Sequence, residues 1–142
     1  MILIDVNLLI YAANKDAPLH HKAKAWLESV MSGNETICLP WIVILAFLRL
    51  TTRAGCFRVP LRVERAFEIM DGWLAQPPVT IIEPPAKHGQ ILRNLLVPLG
   101  TGGNLTSDAH LAAIAIGHGA ELCSLDGVFA RFPGLRWRNP LV

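Results

Sequence analysis

Three aspartates stand where apolar runs of the chain stop or turn, and carboxylates in such places are suited to hydrolytic chemistry. Asp5 closes Met1-Ile-Leu-Ile, a run that reads as a buried central strand reaching a site. Asp126 closes a second run, Ala120 to Leu125, and Asp108 falls in the first turn of the helix whose body is Leu111-Ala-Ala-Ile-Ala-Ile116. In an open α/β sheet the binding crevice lies outside the carboxyl ends of the central strands. If the first and fourth strands are neighbours, all three carboxylates meet there. So crowded, they would repel and raise one another's pKa, whereas a divalent cation removes that cost. Oxygen donors without Cys or His favour Mg²⁺ or Mn²⁺ over zinc. Each acid also has a plainer use: Asp5 as a helix cap, Asp108 as a complement to the helix dipole, Asp126-Gly127 as a turn. Three together tilt the reading toward a metal site.

Other chemistries fit less well. His20 and His21 are adjacent and point apart on a helix, and His88, His110 and His118 show no ligand spacing, which argues against zinc. No G-x-S-x-G occurs to present a serine nucleophile. A phosphatase forming an aspartyl-phosphate would share the opening strand, but its D-x-D signature is here Asp5-Val-Asn7. That makes it the lesser enzyme alternative.

The elements that must position these residues alternate. A strand through Ile4 is followed by a short helix Leu8 to Ala13, then a helix Leu19 to Met31 with Ala23, Trp26, Leu27 and Val30 on one face and His20, Lys22, Lys24 and Glu28 largely off it. Glu35 to Leu39 reads as a strand, with Pro40 suited to the first turn of a helix Trp41 to Arg53. That helix is apolar almost all round, as core or a subunit interface would be. Leu61 to Gln76 reads as a helix with Val63, Ala66, Phe67, Met70, Trp73 and Leu74 inward; Val79 to Ile82 as a strand; Ala86 to Leu99 as a helix. Thr106 is placed to cap the next helix, which stops at His118-Gly119, and Leu135 to Arg138 is a short fifth strand. The alternation predicts a parallel sheet with right-handed crossovers.

With 142 residues the chain fits a single domain, 1–142, and its 52% hydrophobic content, 17% charged content and mean hydropathy of +0.40 argue against disorder. No apolar run reaches the ~20 residues a bilayer span needs, and no signal-peptide pattern opens the chain, so the cytoplasm is the expected location. Net charge of +2 is too mild to prove nucleic-acid binding, but nine of the thirteen basic residues are Arg, the side chain suited to bidentate phosphate contacts. Cys38, Cys56 and Cys123 form no C-x-x-C pair and read as reduced core thiols.

Met1-Ile-Leu-Ile-Asp-Val-Asn7, Ala46-Phe-Leu-Arg49, Asp108-Ala-His-Leu-Ala-Ala113 and Ser124-Leu-Asp-Gly-Val-Phe-Ala-Arg-Phe-Pro-Gly-Leu135 resemble, in order, the successive motifs of PIN-domain toxins of the VapC type. The resemblance covers essentially the whole chain. It implies a three-layer α/β/α PIN fold with parallel strand order 3-2-1-4-5, and a metal-dependent endoribonuclease acting on structured RNA such as tRNA or ribosomal RNA. It also implies a small VapB-type antitoxin and a homodimer. Asp5, Asp108 and Asp126 match the metal-binding acids, and Asn7 and Ser124 the supporting polar positions. Arg49, Arg53 and Arg58 are candidates for RNA or antitoxin contact, beside the plainer reading of a solvated helix end. One departure matters: the family usually has Glu where this chain has Ala46. No acid between Pro40 and Val63 replaces it, and Glu83, on the implied edge strand, reads as solvated. Three acids suffice in principle, because Mg²⁺ often binds through one or two carboxylates plus waters and substrate phosphate. The alternative that Ala46 leaves open is a catalytically silent PIN-like module that binds RNA or protein.

Overall fold

Ile2–Ile4 form β1, and every one of the three side chains is buried, as befits a strand with neighbours on both edges and helices on both faces. The computed structural model describes residues 1–142. After β1 come α1 (Val6–Ala13), α2 (His20–Met31), β2 (Ile37–Pro40), α3 (Trp41–Thr52), α4 (Val63–Leu74), β3 (Val79–Ile82), α5 (His88–Leu96), α6 (Leu105–His118), β4 (Glu121–Cys123) and β5 (Trp137–Arg138). A 3-10 turn, Gly127–Arg131, lies between the last two strands. The fold is α/β, and its five strands form one sheet of order β3-β2-β1-β4-β5, all neighbours parallel.

The sheet grows in both directions from β1. α1 packs on α2 and α3, and α3 on α4, while α5 packs on α6. The chain thus moves outward through β2 and β3, then crosses back to lay β4 against the other edge of β1. Such a reversal leaves a crevice at the carboxyl ends of the two central strands.

Several local expectations are corrected. Pro40 is the last residue of β2, opposite Ile82, and stands outside the first turn of α3; its missing N–H matters little where the ladder ends. His20, expected off the apolar face of α2, is buried with its Nδ1 2.9 Å from the Tyr11 carbonyl. On α4 only Ala66 and Met70 are fully buried, and Val63 and Phe67 face outward. Thr106 lies inside α6, whose N-cap is Asn104 with no side-chain hydrogen bond. The far end of that helix stops on Gly119 in the left-handed region, at φ +67°. β4 ends at Cys123, leaving Ser124 and Leu125 free of the strand.

One face of α3 is core, as one of the two expectations held. Val43, Ile44, Phe47 and Thr51 are buried, and Phe47 meets Trp73 of α4 edge-on at 5.1 Å. Thr51 Oγ1 donates to the Phe47 carbonyl, so its burial leaves no polar group unsatisfied. Trp41 and Leu45 remain 48% and 58% exposed on the opposite side. Cys38 and Cys123 are buried thiols and Cys56 is half-buried; burial pushes the Cys123 thiol up to about 11.

Candidate active site

The β1–β4 pairing fixes the site's floor. Ile4 lies opposite Cys123, and the Asp5 N–H donates to the Cys123 carbonyl at 2.9 Å, so the two chains leave the sheet side by side. Asp5 then caps α1, its Oδ1 accepting from the Val6 N–H at 2.8 Å. Ser124, fully buried, donates from Oγ to Asp5 Oδ2 at 2.6 Å. The same hydroxyl accepts from Asn7 Nδ2 at 3.2 Å and from the Asp126 N–H at 3.1 Å. Asn7 Oδ1 in turn accepts from the Leu125 N–H. Asp5, Asn7, Ser124 and the backbone of Asp126 thus form one network.

Asp108 reaches the same place from α6, which runs opposite in sequence sense to the strands and so brings its first turn to their carboxyl ends. A cleft of about 460 Å³ is lined by Asp5, Asp108 and Ser107, by the apolar Val6, Ile42 and Leu111, and by Ala46 and Arg49 of α3. Burial is the main force holding the Asp5 carboxyl above its ordinary range; the Ser124 and Val6 hydrogen bonds oppose it, and the charge of Asp126 adds to it. Asp108 is raised by burial first, then by the charges of Asp126 and Asp5. The three acids therefore feel one another.

The arrangement differs from a closed three-carboxylate pocket in one respect. Asp126 is exposed, its Oδ1 accepts from the Val128 N–H at the start of the 3-10 turn, and it does not line the cleft. As placed, no three His, Cys, Asp or Glu side chains close around a common point. The helical-cap and turn roles weighed for Asp5 and Asp126 are thus both real, and they coexist with the clustering. What the cleft offers a hard cation is two carboxylates with free lone pairs, a third acid beside them and no soft donor, which fits an ion that keeps most of its waters.

Ala46 lines the cleft, so α3 presents position 46 to the acids and nothing acidic stands there. Glu83 is exposed. The structure separates the three arginines: Arg49 is in the cleft, Arg53 caps the end of α3, and Arg58 lines a different depression with Tyr11, Asn14 and Asp16. None of them is in an ion pair. His88 and His110, which show no spacing relation in sequence, meet across α5 and α6 with Nε2 2.9 Å from Nδ1. Sequence reasoning missed Ser107, whose place beside Asp108 in the first turn was the available signal, and Trp137, whose indole N–H donates to the Ser124 carbonyl.

Residues 2–135 match the PIN domain. The chain belongs to the PIN-domain family. This PIN domain is 41% identical over 140 residues to ribonuclease VapC37 of Mycobacterium tuberculosis, covering 99% of this chain and 97% of that protein. It is 39% identical over 141 residues to ribonuclease VapC33 of the same organism, covering 99% of each. Among solved structures it resembles VapBC2 from Rickettsia felis bound to a DNA fragment from their promoter, with a TM-score of 0.72 and 24% identity over 97% of this chain and 98% of that one. The shared fold places the same sheet order under the acids of this PIN domain that the opening motifs implied.

Proposed function

We propose that this chain is an endoribonuclease, the toxin of a toxin–antitoxin pair, hydrolysing RNA phosphodiesters with water activated by Mg²⁺ or Mn²⁺. The observation that carries the reading is the meeting of Asp5 and Asp108 in one cleft at the sheet's reversal point, electrostatically coupled to Asp126. Full-length kinship with proteins named ribonuclease VapC supports the RNA substrate. Asp5 and Asp108 would hold the ion, with Asp126 completing the negative field. When bound, the ion supplies Lewis-acid activation of water and stabilises charge on the phosphate. Ser124 and Asn7 orient Asp5, and Arg49, unpaired in the same cleft, is positioned to bind a phosphate of the substrate. Arg53 and Arg58 lie farther along and would extend contact to RNA or to an acidic antitoxin segment. The neighbour from Rickettsia felis is VapBC2, and another solved neighbour is a toxin–antitoxin complex from Klebsiella pneumoniae; both support a VapB-type partner here. No helix is long and apolar enough to cross a membrane.

A second reading, a catalytically silent PIN module that binds RNA or protein, is favoured by one observation: Ala46 faces the acids where the family usually has Glu. One experiment separates the two. Purified protein is incubated with total RNA in Mg²⁺, Mn²⁺ or EDTA beside Asp5→Asn. Cleavage confined to the wild type with metal supports the nuclease. Equal cleavage by the variant or in chelator sinks the metal mechanism, and RNA binding without cleavage supports the silent module.

A further inference from the structure

Ser124 holds Asp5, yet it stands one residue beyond β4, outside the ladder that joins β4 to β1. Its own backbone is fixed from the other side, by β5. The Leu122 N–H donates to the Arg136 carbonyl and the Ser124 N–H to the Arg138 carbonyl, a parallel ladder with the usual two-residue period. Continuing that ladder, the Ser124 carbonyl would accept from the N–H of residue 140. Residue 140 is proline and has no N–H. The gap is filled by a side chain: Trp137 Nε1 donates to the Ser124 carbonyl at 3.1 Å.

We infer that Trp137 is a positioning residue for the hydrolytic site, replacing a missing rung of the sheet so that the Ser124 peptide, and through its hydroxyl the Asp5 carboxylate, is held in one orientation. Trp137 makes no hydrogen bond to the acids; its indole N–H goes to the Ser124 carbonyl. It acts through a peptide that is buried and whose hydroxyl has three partners, Asp5, Asn7 and the Asp126 N–H, so a rotation at Ser124 disturbs all of them together. Without the indole the Ser124 carbonyl has no donor from the edge strand. The consequence for RNA turnover rests on the nuclease reading; the consequence for the Ser124 network does not.

The test uses Trp137→Phe, which keeps an aromatic ring and loses the N–H, and its rescue by Pro140→Ala, which returns the ladder's own donor. Two properties are read: hydrogen exchange of the Asp126 amide, which is bonded to Ser124 Oγ, and the kinetics of RNA cleavage. Loss of one hydrogen bond should speed that exchange by about tenfold in Trp137→Phe. Turnover should fall by about tenfold with KM held within about twofold, the pattern of lost orientation. Adding Pro140→Ala should restore both. In a Ser124→Ala background Trp137→Phe should slow turnover no further, since the hydroxyl through which it acts is gone. Unchanged Asp126 exchange in Trp137→Phe, or no rescue by Pro140→Ala, overturns the inference, because a tryptophan that only packs is not replaced by a backbone N–H. If Trp137→Phe alone does not fold, a folded double variant supports the inference and an unfolded one overturns it. A wild type that cleaves no RNA removes the nuclease reading, and the exchange measurement still decides whether Trp137 holds Ser124.

Discussion

Burial and mutual repulsion hold the carboxyls of Asp5 and Asp108 above their ordinary range, so the folded chain keeps those protons more tightly than the unfolded chain does. The stability this contributes is present below the unfolded carboxylate pKa of about 4 and is lost as pH rises through the folded values. In EDTA, stability followed by urea unfolding should therefore fall over that rise, and Asp5→Asn should flatten the slope. A cation that binds only the folded site reverses the loss: at ten times its dissociation constant Mg²⁺ should add ~1.4 kcal/mol and raise the melting temperature by roughly 3–6 °C. Asp5→Asn should abolish that rise, and an identical rise in the variant would place the ion elsewhere. Ala46→Glu adds a carboxylate to the same cleft wall and should tighten Mn²⁺ binding in calorimetry without RNA by about tenfold, the effect of ~1.4 kcal/mol. Unchanged affinity would mean that position 46 is only a wall. At this scale the sequence spoke clearly where a residue type breaks a pattern, as Asp5 does at the end of an apolar strand. It was silent on the direction of the Asp126 side chain, because a turn-capping acid and a metal-facing acid look alike in a one-dimensional string.

Elements were legible wherever apolar periodicity was strong, and their ends were not. β4 was expected to run to Leu125, but pairing with β1 stops at Cys123, and that early stop frees Ser124 to turn its hydroxyl toward Asp5. Trp137 lies on a two-residue strand, and its partner is thirteen residues away, so no local signal marks it. Gly117 shows a similar dependence on tertiary context. A Cβ there would come within 2.5 Å of Pro85 Cγ and 3.2 Å of its Cδ, where the segment entering α5 crosses α6. Gly117→Ala should gain ~1 kcal/mol of helix propensity and lose more than that to overpacking against a stiff ring, a penalty of about 1–3 kcal/mol. A net loss in urea unfolding is the expected result; net stabilisation would show that the proline-bearing segment yields easily. Since α6 delivers Asp108, any shift of that helix should weaken Mg²⁺ binding in the same variant.

For the molecule as a whole, α3 presents Trp41 and Leu45 and α4 presents Val63 and Phe67 to solvent, apolar pairs each spaced one helical turn apart. Paired in this way they form a candidate face for the homodimer expected from the resemblance. Phe67→Glu should leave the fold intact and raise the dimer dissociation constant at least about tenfold by light scattering, the cost of burying a charge at such a contact being well above about 1.4 kcal/mol. A wild type that is monomeric at high micromolar concentration would refute the dimer. The sheet order has one more consequence, and it concerns time. β1 is made before the other strands, with Asp5 at its end, but the hydroxyl that orients Asp5 follows 119 residues later. At about 5–20 residues per second, that is roughly 6–24 s in which the nascent chain carries its first acid without the rest of the site. The site of this ribonuclease is thus not assembled until both segments have been made, and an inhibitor already present meets it as it forms.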